Sequence, residues 1–355
     1  MRRVMIEPGD YQDCRPAVER ALELFPLAIE GKKVLVKPNV LRAARPSEGI
    51  TTHPALLWAV VSCLKKRGPA QIIVGDNPGL MSYGANEASF HQCGLLEAAQ
   101  GHYQNIGLKA VERDFDPAFL PQVSISRAVA EADVFISLPK FKTHGLTILT
   151  GGIKNSYGIL PGAQKARLHR LAGTPQRFHE LVVEVFRLRV PDLFIVDAVV
   201  GMEGNGPASP DLRHIGKVLA ADNAVALDAV MARMMGLEPG CLCFLQKARE
   251  LGLGDYEAKA IEVMGELQVI PDFKLPPLSG EAISKNEVIQ GLLTSRAGLR
   301  PQANPDRCSA CGYCVEHCPA GALAMDEGLP RVDAQACIVC FCCQEMCPEK
   351  AITLV

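Results

Sequence analysis

The sequence predicts a large α/β domain with a mostly parallel sheet and flanking helices, followed by a small α+β domain. Within residues 1–298, short apolar runs alternate with segments of helical periodicity, which is the pattern of βαβ units. Within residues 308–355 the cysteines are concentrated instead, because nine of the chain's 14 cysteines lie between Cys308 and Cys347. A proline-containing segment, 299–307, separates the two parts and is expected to be a linker.

The composition excludes several classes of protein. Lysine and arginine number 37 against 39 acidic residues, so the basic excess that drives binding to nucleic acid is missing. The chain reaches Glu7 and Asp10 before any apolar run, which argues against a secretory signal. The most apolar later stretch, 181–200, contains charged residues that a bilayer core would not accept. We therefore expect a cytoplasmic protein that binds neither nucleic acid nor a membrane.

Five strands and two helices are predicted in the α/β domain. The predicted strands are 33–37, 71–75, 133–138, 193–197 and 216–221, each of them a short apolar run. One helix begins at Pro54, since proline suits the first helical position, and ends at Gly68. The other begins at Asp222, a predicted N-cap, and ends at Gly236.

Polar residues follow four of these strands. They are Lys37 and Asn39 after the first, Asp76 and Asn77 after the second, Lys140, Lys142 and His144 after the third, and Asp197 and Glu203 after the fourth. Ligands of parallel α/β sheets bind outside the carboxyl ends of the strands, so these residues are expected to share one crevice. Lys154 and Asn155 are added to it from the following glycine-rich segment, 150–162.

The residue types at this crevice indicate an anionic small molecule. Lysines attract a carboxylate or a phosphate, while aspartate and glutamate bind a divalent metal or transfer protons. We assign ligand or cofactor binding to Lys37, Asn39, Asp76, Asn77, Lys154 and Asn155, and catalysis to Lys140, Lys142, His144, Asp197 and Glu203. An additional cofactor or divalent metal fits the same pattern. In the alternative interpretation the lysines are solvated, the aspartates make turn and cap hydrogen bonds, and His144 is structural.

Two glycine-rich segments, 150–162 and 201–206, follow the third and fourth predicted strands. The four glycines of 150–162 allow backbone amides to approach an anion, but the Gly-Lys-Ser/Thr end of a phosphate-binding P-loop is missing. The segment 201–206 runs into Pro207, so it cannot open a helix as a dinucleotide-binding motif must. A mobile lid and an ordinary surface turn are both compatible with it.

The cysteines form a repeat. The pattern C-x2-C-x2-C-x3-C-P occurs twice at an offset of 29 residues, which is the spacing of two-cluster bacterial ferredoxins. In that arrangement the fourth cysteine of each half reaches the other cluster. The predicted ligands of two 4Fe-4S clusters are thus Cys308, Cys311, Cys314 and Cys347 for one, and Cys337, Cys340, Cys343 and Cys318 for the other. Zinc and disulfides are the weaker alternatives, and Cys342 is expected to be a packed thiol.

Four sequence blocks resemble the family catalogued as domain of unknown function 362. They are 34–39 (VLVKPN), 74–79 (VGDNPG), 138–162 and 196–207, and the resemblance covers roughly residues 30–290. It implies an α/β domain paired with a two-cluster ferredoxin-like module, and it implies no substrate.

Three functions remain open at this point. The first is an oxidoreductase of oxygen-poor cytoplasm that passes low-potential electrons through two 4Fe-4S clusters to an anionic small molecule or second cofactor. The second is an electron carrier or adaptor that docks onto another oxidoreductase. The third is a redox-neutral enzyme with structural or sensing clusters. A redox partner protein is expected for the first two, and the sequence leaves the oligomeric state open.

Overall fold

The computed structural model describes residues 1–79, 85–173, 175–276 and 299–354. The end of the predicted α/β domain, 277–298, lies outside the described residues. The strands are β1 (Arg2–Pro8), β2 (Lys33–Pro38), β3 (Gln71–Val74), β4 (Ala110–Asp114), β5 (Gln122–Ser126), β6 (Val134–Leu138), β7 (Lys140–His144), β8 (Ile148–Thr150), β9 (Leu193–Met202), β10 (Leu212–Ala221), β11 (Ile261–Met264), β12 (Pro301–Ala303), β13 (Leu323–Asp326), β14 (Leu329–Val332) and β15 (Ile352–Leu354).

Helices lie between most of these strands. They are α1 (Arg15–Leu24), α2 (Pro54–Lys65), α3 (Ala85–Gln92), α4 (Leu95–Ala98), α5 (Arg127–Ala130), α6 (Gly152–Asn155), α7 (Gly162–Ala172), α8 (Pro175–Leu188), α9 (Ala224–Met234), α10 (Cys243–Glu250), α11 (Tyr313–Glu316) and α12 (Cys342–Met346). None of the helices in the described ranges combines the length and the apolar character needed to cross a bilayer.

The large sheet is mixed, whereas the sequence predicted a mostly parallel one. Its main path is β11-β1-β10-β9-β6-β2-β3, and β7 and β8 extend it beside β9. Strands β9, β6, β2 and β3 run parallel, but β10 is antiparallel to both β9 and β1. The reason lies in the connection: residues 203–211 join β9 to β10, and a parallel crossover needs about a dozen or more.

The five predicted strands and both predicted helices are present, and their bounds differ from the prediction by up to five residues, most notably at the end of β9 and the start of α9. Strand β9 continues to Met202, beyond its predicted end at Asp197, so the segment 201–206 begins inside a strand. The N-cap of α9 is Asn223 and not Asp222, because the Asn223 side chain accepts a hydrogen bond of 3.0 Å from the Ala226 amide. Both errors concern where an element starts or stops, which local sequence determines weakly.

The sheet separates two apolar cores. Alternate residues of β2 point to opposite faces, so Val34 and Val36 join the core under α1 and α2, while Leu35 joins the core under α8, α9 and α10. This two-sided burial explains why the central strands are almost continuously apolar.

The cysteine-rich part contains two short antiparallel strand pairs and two short helices. Strand β12, inside the segment expected to be a linker, pairs with β15, and β13 pairs with β14. The sequence repeat is also a backbone repeat, since residues 29 positions apart share positive φ angles. These pairs are Ala310 and Val339, Gly312 and Phe341, and Gly321 and Lys350.

The cysteine-rich part packs against the α/β domain. Val339 and Phe341 are buried in the same core as α8 and α9. A Cβ atom added at Gly145 would lie 3.2 Å from the Phe341 ring, so the chain of the α/β domain passes directly over that ring. Lys350 adds a hydrogen bond of 3.3 Å to the Ser209 carbonyl. The two parts therefore share a packed interface in the described residues.

Candidate functional site

A cavity of about 100 Å³ lies between the α/β domain and the cysteine-rich part. The α/β side contributes all six residues to which the sequence analysis assigned ligand binding: Lys37, Asn39, Asp76, Asn77, Lys154 and Asn155. The cysteine-rich side contributes His317, Cys342, Glu345 and Met346. The ends of β2 and β3 thus meet a second wall that the strand-end argument did not foresee.

A buried ion pair forms part of the α/β wall. The Lys37 ammonium lies 2.7 Å from Asp76 Oδ1, and it also donates to Asn155 Oδ1 at 3.3 Å. The second oxygen of Asp76 accepts a hydrogen bond of 2.8 Å from the Val40 amide. Burial lowers the pKa of Lys37, and the charge of Asp76 opposes that shift. A side chain at Gly158 would overlap this pair, which explains one glycine of the segment 150–162.

The glycine-rich segment binds an anion of the chain itself. The amides of Gly152 and Ile153 donate to the Asp228 carboxylate at 2.6 and 3.1 Å. Burial raises the pKa of Asp228 to about 7, although these two hydrogen bonds act in the opposite direction. A side chain at Gly151 would overlap the same carboxylate. These amides were expected to approach an anionic ligand, and the structure shows that they cap α6 through Asp228 instead.

Lys154 is the cation that stays available to a ligand. Its ammonium lies 5.0 Å from the ring centre of Tyr157 and 5.5 Å from that of Phe178. Among the described residues, no carboxylate or carbonyl lies within hydrogen-bonding or ion-pair distance of it. Burial lowers the pKa of Lys154, and the charge of Glu345 acts against this shift. An anion in the cavity would supply the missing partner.

Lys165 is a second cation at the cavity, and the sequence analysis missed it. Its ammonium donates to the carbonyls of Asn77 and Pro78. Burial lowers the pKa of Lys165 to about 7, so the side chain is partly charged near neutral pH. Lys165 and His169 lie four residues apart on α7, which begins directly after the glycine-rich segment. Residues four positions apart lie on the same face of a helix, so this spacing could have placed Lys165 and His169 next to each other at the site.

Several buried polar atoms of the cavity wall lack a hydrogen-bond partner in the described part of the chain. These atoms are Asn39 Oδ1, His169 Nδ1, His317 Nε2 and Glu345 Oε1. Buried polar atoms in folded proteins almost always have partners. Four exceptions around one cavity indicate that a ligand or ordered water completes their hydrogen bonds.

His144 supports the cavity from behind and does not line it. Its Nδ1 atom accepts a hydrogen bond of 3.0 Å from the Leu146 amide, which places the ring proton on Nε2. That Nε2 atom lies 3.2 Å from Glu345 Oε1. Burial, helped by the charge of Lys154, lowers the pKa of His144 to about 4. His144 is therefore a neutral contact between the two parts of the chain.

Lys140 and Asp197 form a separate buried network away from the cavity. Lys140 donates to Asp197 Oδ2 and to the Tyr11 hydroxyl, both at 2.8 Å. The Tyr11 hydroxyl donates to Asp197 Oδ1 at 2.7 Å, and the His53 amide donates to Oδ2 at 2.8 Å. The rings of Tyr11 and His53 stack with their centres 3.6 Å apart. Every polar atom of the pair is thus occupied within the protein.

Lys142 and Glu203 also lie outside the cavity lining. Lys142 donates to the Ile50 carbonyl at 2.7 Å, and burial lowers its pKa to about 7. Glu203 pairs with Arg213 at 3.1 Å and accepts the Lys274 amide at 3.2 Å. The four strand ends that were expected to converge are consequently divided among several sites. Among the described residues that line the cavity, no three His, Cys, Asp or Glu side chains are arranged to hold a single metal ion, so a divalent metal in the crevice has no support there.

The cysteines of the repeat line two further cavities. We call the outer site the one lined by Cys308, Cys311, Cys314 and Cys347, and the inner site the one lined by Cys318, Cys337, Cys340 and Cys343. Each site takes three cysteines from one half of the repeat and the fourth from the other half. Backbone amides of Ala322 and Ala351 donate to the sulfurs of Cys318 and Cys347, at 3.3 and 3.2 Å. Four thiols with amide donors to sulfur fit an iron–sulfur cluster.

The two cysteine sites differ in their surroundings. Cys311 of the outer site is exposed to solvent. The inner site lies beneath Val339 and Phe341, which are buried in the α/β core. His317 and Cys342, the neighbours of Cys318 and Cys343 in sequence, line the ligand cavity. The inner site therefore adjoins the cavity, and the outer site faces the surface.

Two family models match the two parts of the chain. A family described as Domain of unknown function (DUF362) matches residues 34–233, and a 4Fe-4S dicluster domain matches residues 300–348. A thylakoid-associated protein of Synechocystis sp. is 31% identical over 250 residues, which are 69% of this chain and 77% of that protein. A crystal structure of a Thermotoga maritima protein matches with a TM-score of 0.40 and 11% identity, over 69% of this chain and 59% of that one. The dicluster match indicates an iron–sulfur protein.

Proposed function

Because this chain belongs to the DUF362 family and carries a 4Fe-4S dicluster domain, we propose that it is an iron–sulfur oxidoreductase that acts on an anionic small molecule. One observation carries the proposal: a single cavity is lined both by the unpaired Lys154 and by residues adjacent to cysteines of the inner site. The anion-binding groups thus face a volume that is also bordered by the sequence neighbours of Cys318 and Cys343.

Two 4Fe-4S clusters are proposed, one in the outer site and one in the inner site. Bound clusters of this kind supply single electrons at low potential. The exposed Cys311 marks the outer site as the proposed contact for a redox partner protein. His317 and Cys342 mark the inner site as the proposed neighbour of the substrate.

The chain's own contribution is to attract, orient and shield the anion. Lys154 and Lys165 provide positive charge in a site largely removed from solvent, where electrostatic attraction is stronger than in water. The Lys37–Asp76 pair holds the ends of β2 and β3 together beneath the ligand. Phe341 fixes the cysteine-rich part against the α/β domain, which keeps the second wall of the cavity in place.

An electron carrier is the second candidate function. The exposure of Cys311 favours it, because electron exchange with a partner requires only that the outer site be accessible. A carrier has no need of the unpaired Lys154 or of the unpartnered atoms that surround the cavity. We therefore prefer the oxidoreductase to the electron carrier. A ligand that binds in the cavity would support the oxidoreductase.

The cellular setting is also a proposal. Free thiols and the cluster motif favour a reducing cytoplasm with little oxygen. The Synechocystis relative is named as thylakoid-associated, so contact with a membrane surface is the alternative setting. Fractionation of the cells that produce this protein would distinguish the two.

The first test is anaerobic purification followed by metal and sulfide analysis and by paramagnetic resonance of the reduced protein. We expect about eight irons per chain, as two 4Fe-4S clusters require. Adding propionate should change the signal of one cluster, and Lys154→Met should remove that response. Lys32→Met, at an exposed lysine far from the cavity lining, is the matched control. Zinc in place of iron, or signals that no anion affects, would contradict the proposal.

A further inference from the structure

The wall of the cavity presents an amide oxygen whose orientation is fixed. Asn39 Nδ2 donates to Asn155 Oδ1 at 3.0 Å, and Asn155 Nδ2 donates to Ser137 Oγ at 2.9 Å. Because Asn155 Oδ1 also accepts from Lys37, the Asn39 amide cannot be turned over without placing two oxygens together. Asn39, which lines the cavity, therefore has a buried acceptor, Oδ1, without a donor in the described residues.

His317 presents a second acceptor. Its Nδ1 atom lies 2.9 Å from the Tyr313 carbonyl, which can only accept, so the ring proton is on Nδ1. The ring also stacks on Tyr313, with the centres 5.3 Å apart. The remaining Nε2 lone pair is buried, with His317 only 5% exposed, and has no partner among the described residues. Glu345 Oε1 lies in the same wall, but His144 Nε2 is 3.2 Å away from it.

These acceptors restrict the ligand more than the lysines do. An anion that brings oxygens alone would satisfy Lys154 and leave Asn39 Oδ1 and His317 Nε2 unpaired in a buried site. A ligand that completes these hydrogen bonds itself carries hydroxyl or amine donors in addition to its negative charge.

The charges of the wall favour a hydroxyl donor over an amine donor on the ligand. Lys37 and Asp76 cancel each other, and Glu345 offsets one of the two remaining lysines, Lys154 and Lys165. The wall thus balances at most one negative charge on the ligand. A hydroxy acid carries the one negative charge that this wall balances, whereas an amino acid is a zwitterion without net charge, so the wall favours the hydroxy acid.

The size of the cavity sets an upper limit. A buried water needs about 10–15 Å³ of such volume, so 100 Å³ corresponds to roughly seven to ten non-hydrogen atoms. We infer that the ligand is a small monocarboxylic acid that carries at least one hydroxyl group. This inference rests on the proposed function of the cavity and adds the substrate class to it.

The test compares glycerate with propionate, which is the same three-carbon acid without hydroxyl groups. Binding to the anaerobically purified holoprotein is measured by calorimetry, with alanine as the amine-bearing probe. We expect glycerate to bind about tenfold more tightly than propionate, as one satisfied acceptor of about 1.4 kcal/mol predicts. Alanine should bind more weakly than glycerate.

Substitution of the two acceptors, His317 and Asn39, tests whether the preference for glycerate arises in the cavity. His317→Leu should reduce the ratio of the two affinities to about threefold or less. The control His91→Leu, at an exposed histidine of α3, should leave the ratio unchanged. Iron analysis of both variants verifies that the clusters are retained. Asn39→Leu provides an independent reduction of the ratio, at a position away from the cysteines. Lys154→Met should weaken both acids about tenfold and preserve their ratio.

Each outcome has a defined meaning. Equal binding of glycerate and propionate would overturn the hydroxyl requirement and leave the anion site of the proposed function intact. Binding of alanine as tight as that of glycerate would overturn the hydroxy acid in favour of an amino acid. Absence of binding by all three probes, together with resonance signals that no anion changes, would overturn both the inference and the proposed function.

Discussion

Two buried lysine–aspartate pairs of nearly equal length occupy very different places in this molecule. Lys37 and Asp76 lie 2.7 Å apart in the wall of the interdomain cavity. Lys140 and Asp197 lie 2.8 Å apart as cross-strand partners of β7 and β9, enclosed by Tyr11. The first pair borders a volume that a ligand can enter, and the second has all its hydrogen bonds within the protein. A buried ion pair therefore marks a binding site only when unpartnered groups surround it.

The largest expected effect comes from breaking either pair. Asp197→Ala and Asp76→Ala each leave a lysine buried without its counter-charge, which should lower the free energy of unfolding by about 3–5 kcal/mol. Chemical denaturation followed by circular dichroism measures the loss. Propionate binding should survive in Asp197→Ala and fail in Asp76→Ala.

The double variant Lys140→Met/Asp197→Ala is the control for this comparison. It removes both charges, so it should recover a substantial part of the stability lost in Asp197→Ala. Loss of propionate binding in a folded Asp197→Ala protein would place that pair in the functional site after all.

A pH effect from Lys142 ranks second. Burial lowers the pKa of Lys142 from 10.5 to about 7, so between these values the unfolded chain holds a proton that the folded chain has released. Stability therefore rises with pH across this window, by up to about 1.4 kcal/mol per pH unit from this lysine. Lys142→Met should flatten the measured rise in unfolding free energy between pH 7 and pH 9. A wild-type protein whose stability falls throughout that range would contradict the assignment.

Lys154→Met should act in the direction opposite to Asp197→Ala. Since Lys154 is a half-buried cation with only aromatic contacts in the described residues, its removal should raise the free energy of unfolding by up to about 1 kcal/mol. The same variant should lose anion affinity. If Lys154→Met lowers the free energy of unfolding by more than about 2 kcal/mol, Lys154 has a structural partner and its ammonium is not available to bind a ligand.

The smallest effect is expected at Glu203. Its partner Arg213 is partly exposed, so Glu203→Gln should change the free energy of unfolding by about 1 kcal/mol or less. Propionate binding and the resonance spectrum should match those of the wild type. A change in either property would link the β9–β10 connection to the cavity.

The sequence predicted those parts of the site that depend on strand ends. Lys37 and Asp76 meet because the parallel strands β2 and β3 end on the same side of the sheet, which local sequence patterns predict. Lys154 joins them from α6. Lys140 and Asp197 were assigned to the same crevice, and the structure places them elsewhere because Tyr11 and His53, remote in sequence, enclose them. No local pattern encodes such contacts.

The cysteine-rich wall was missed for a related reason. His317 and Glu345 reach the cavity only because one half of the repeat packs against the α/β domain, and a spacing pattern carries no information on that packing. The same limit applies to the sheet, whose mixed character follows from the β9–β10 connection. The repeat itself did predict which cysteines would lie together, since the two cavities contain the two expected sets.

The two halves of the repeat follow one backbone path, yet they differ at the position where the first half has Gly312 and the second has Phe341. Glycine adopts a positive φ angle without strain, whereas an aromatic residue does so only when its surroundings compensate. In the second half that compensation is a ring embedded against Gly145. The two halves of the repeat are thus no longer equivalent. The second half is anchored to the α/β domain by Phe341, and the first half, with Gly312 at that position, lacks this anchor.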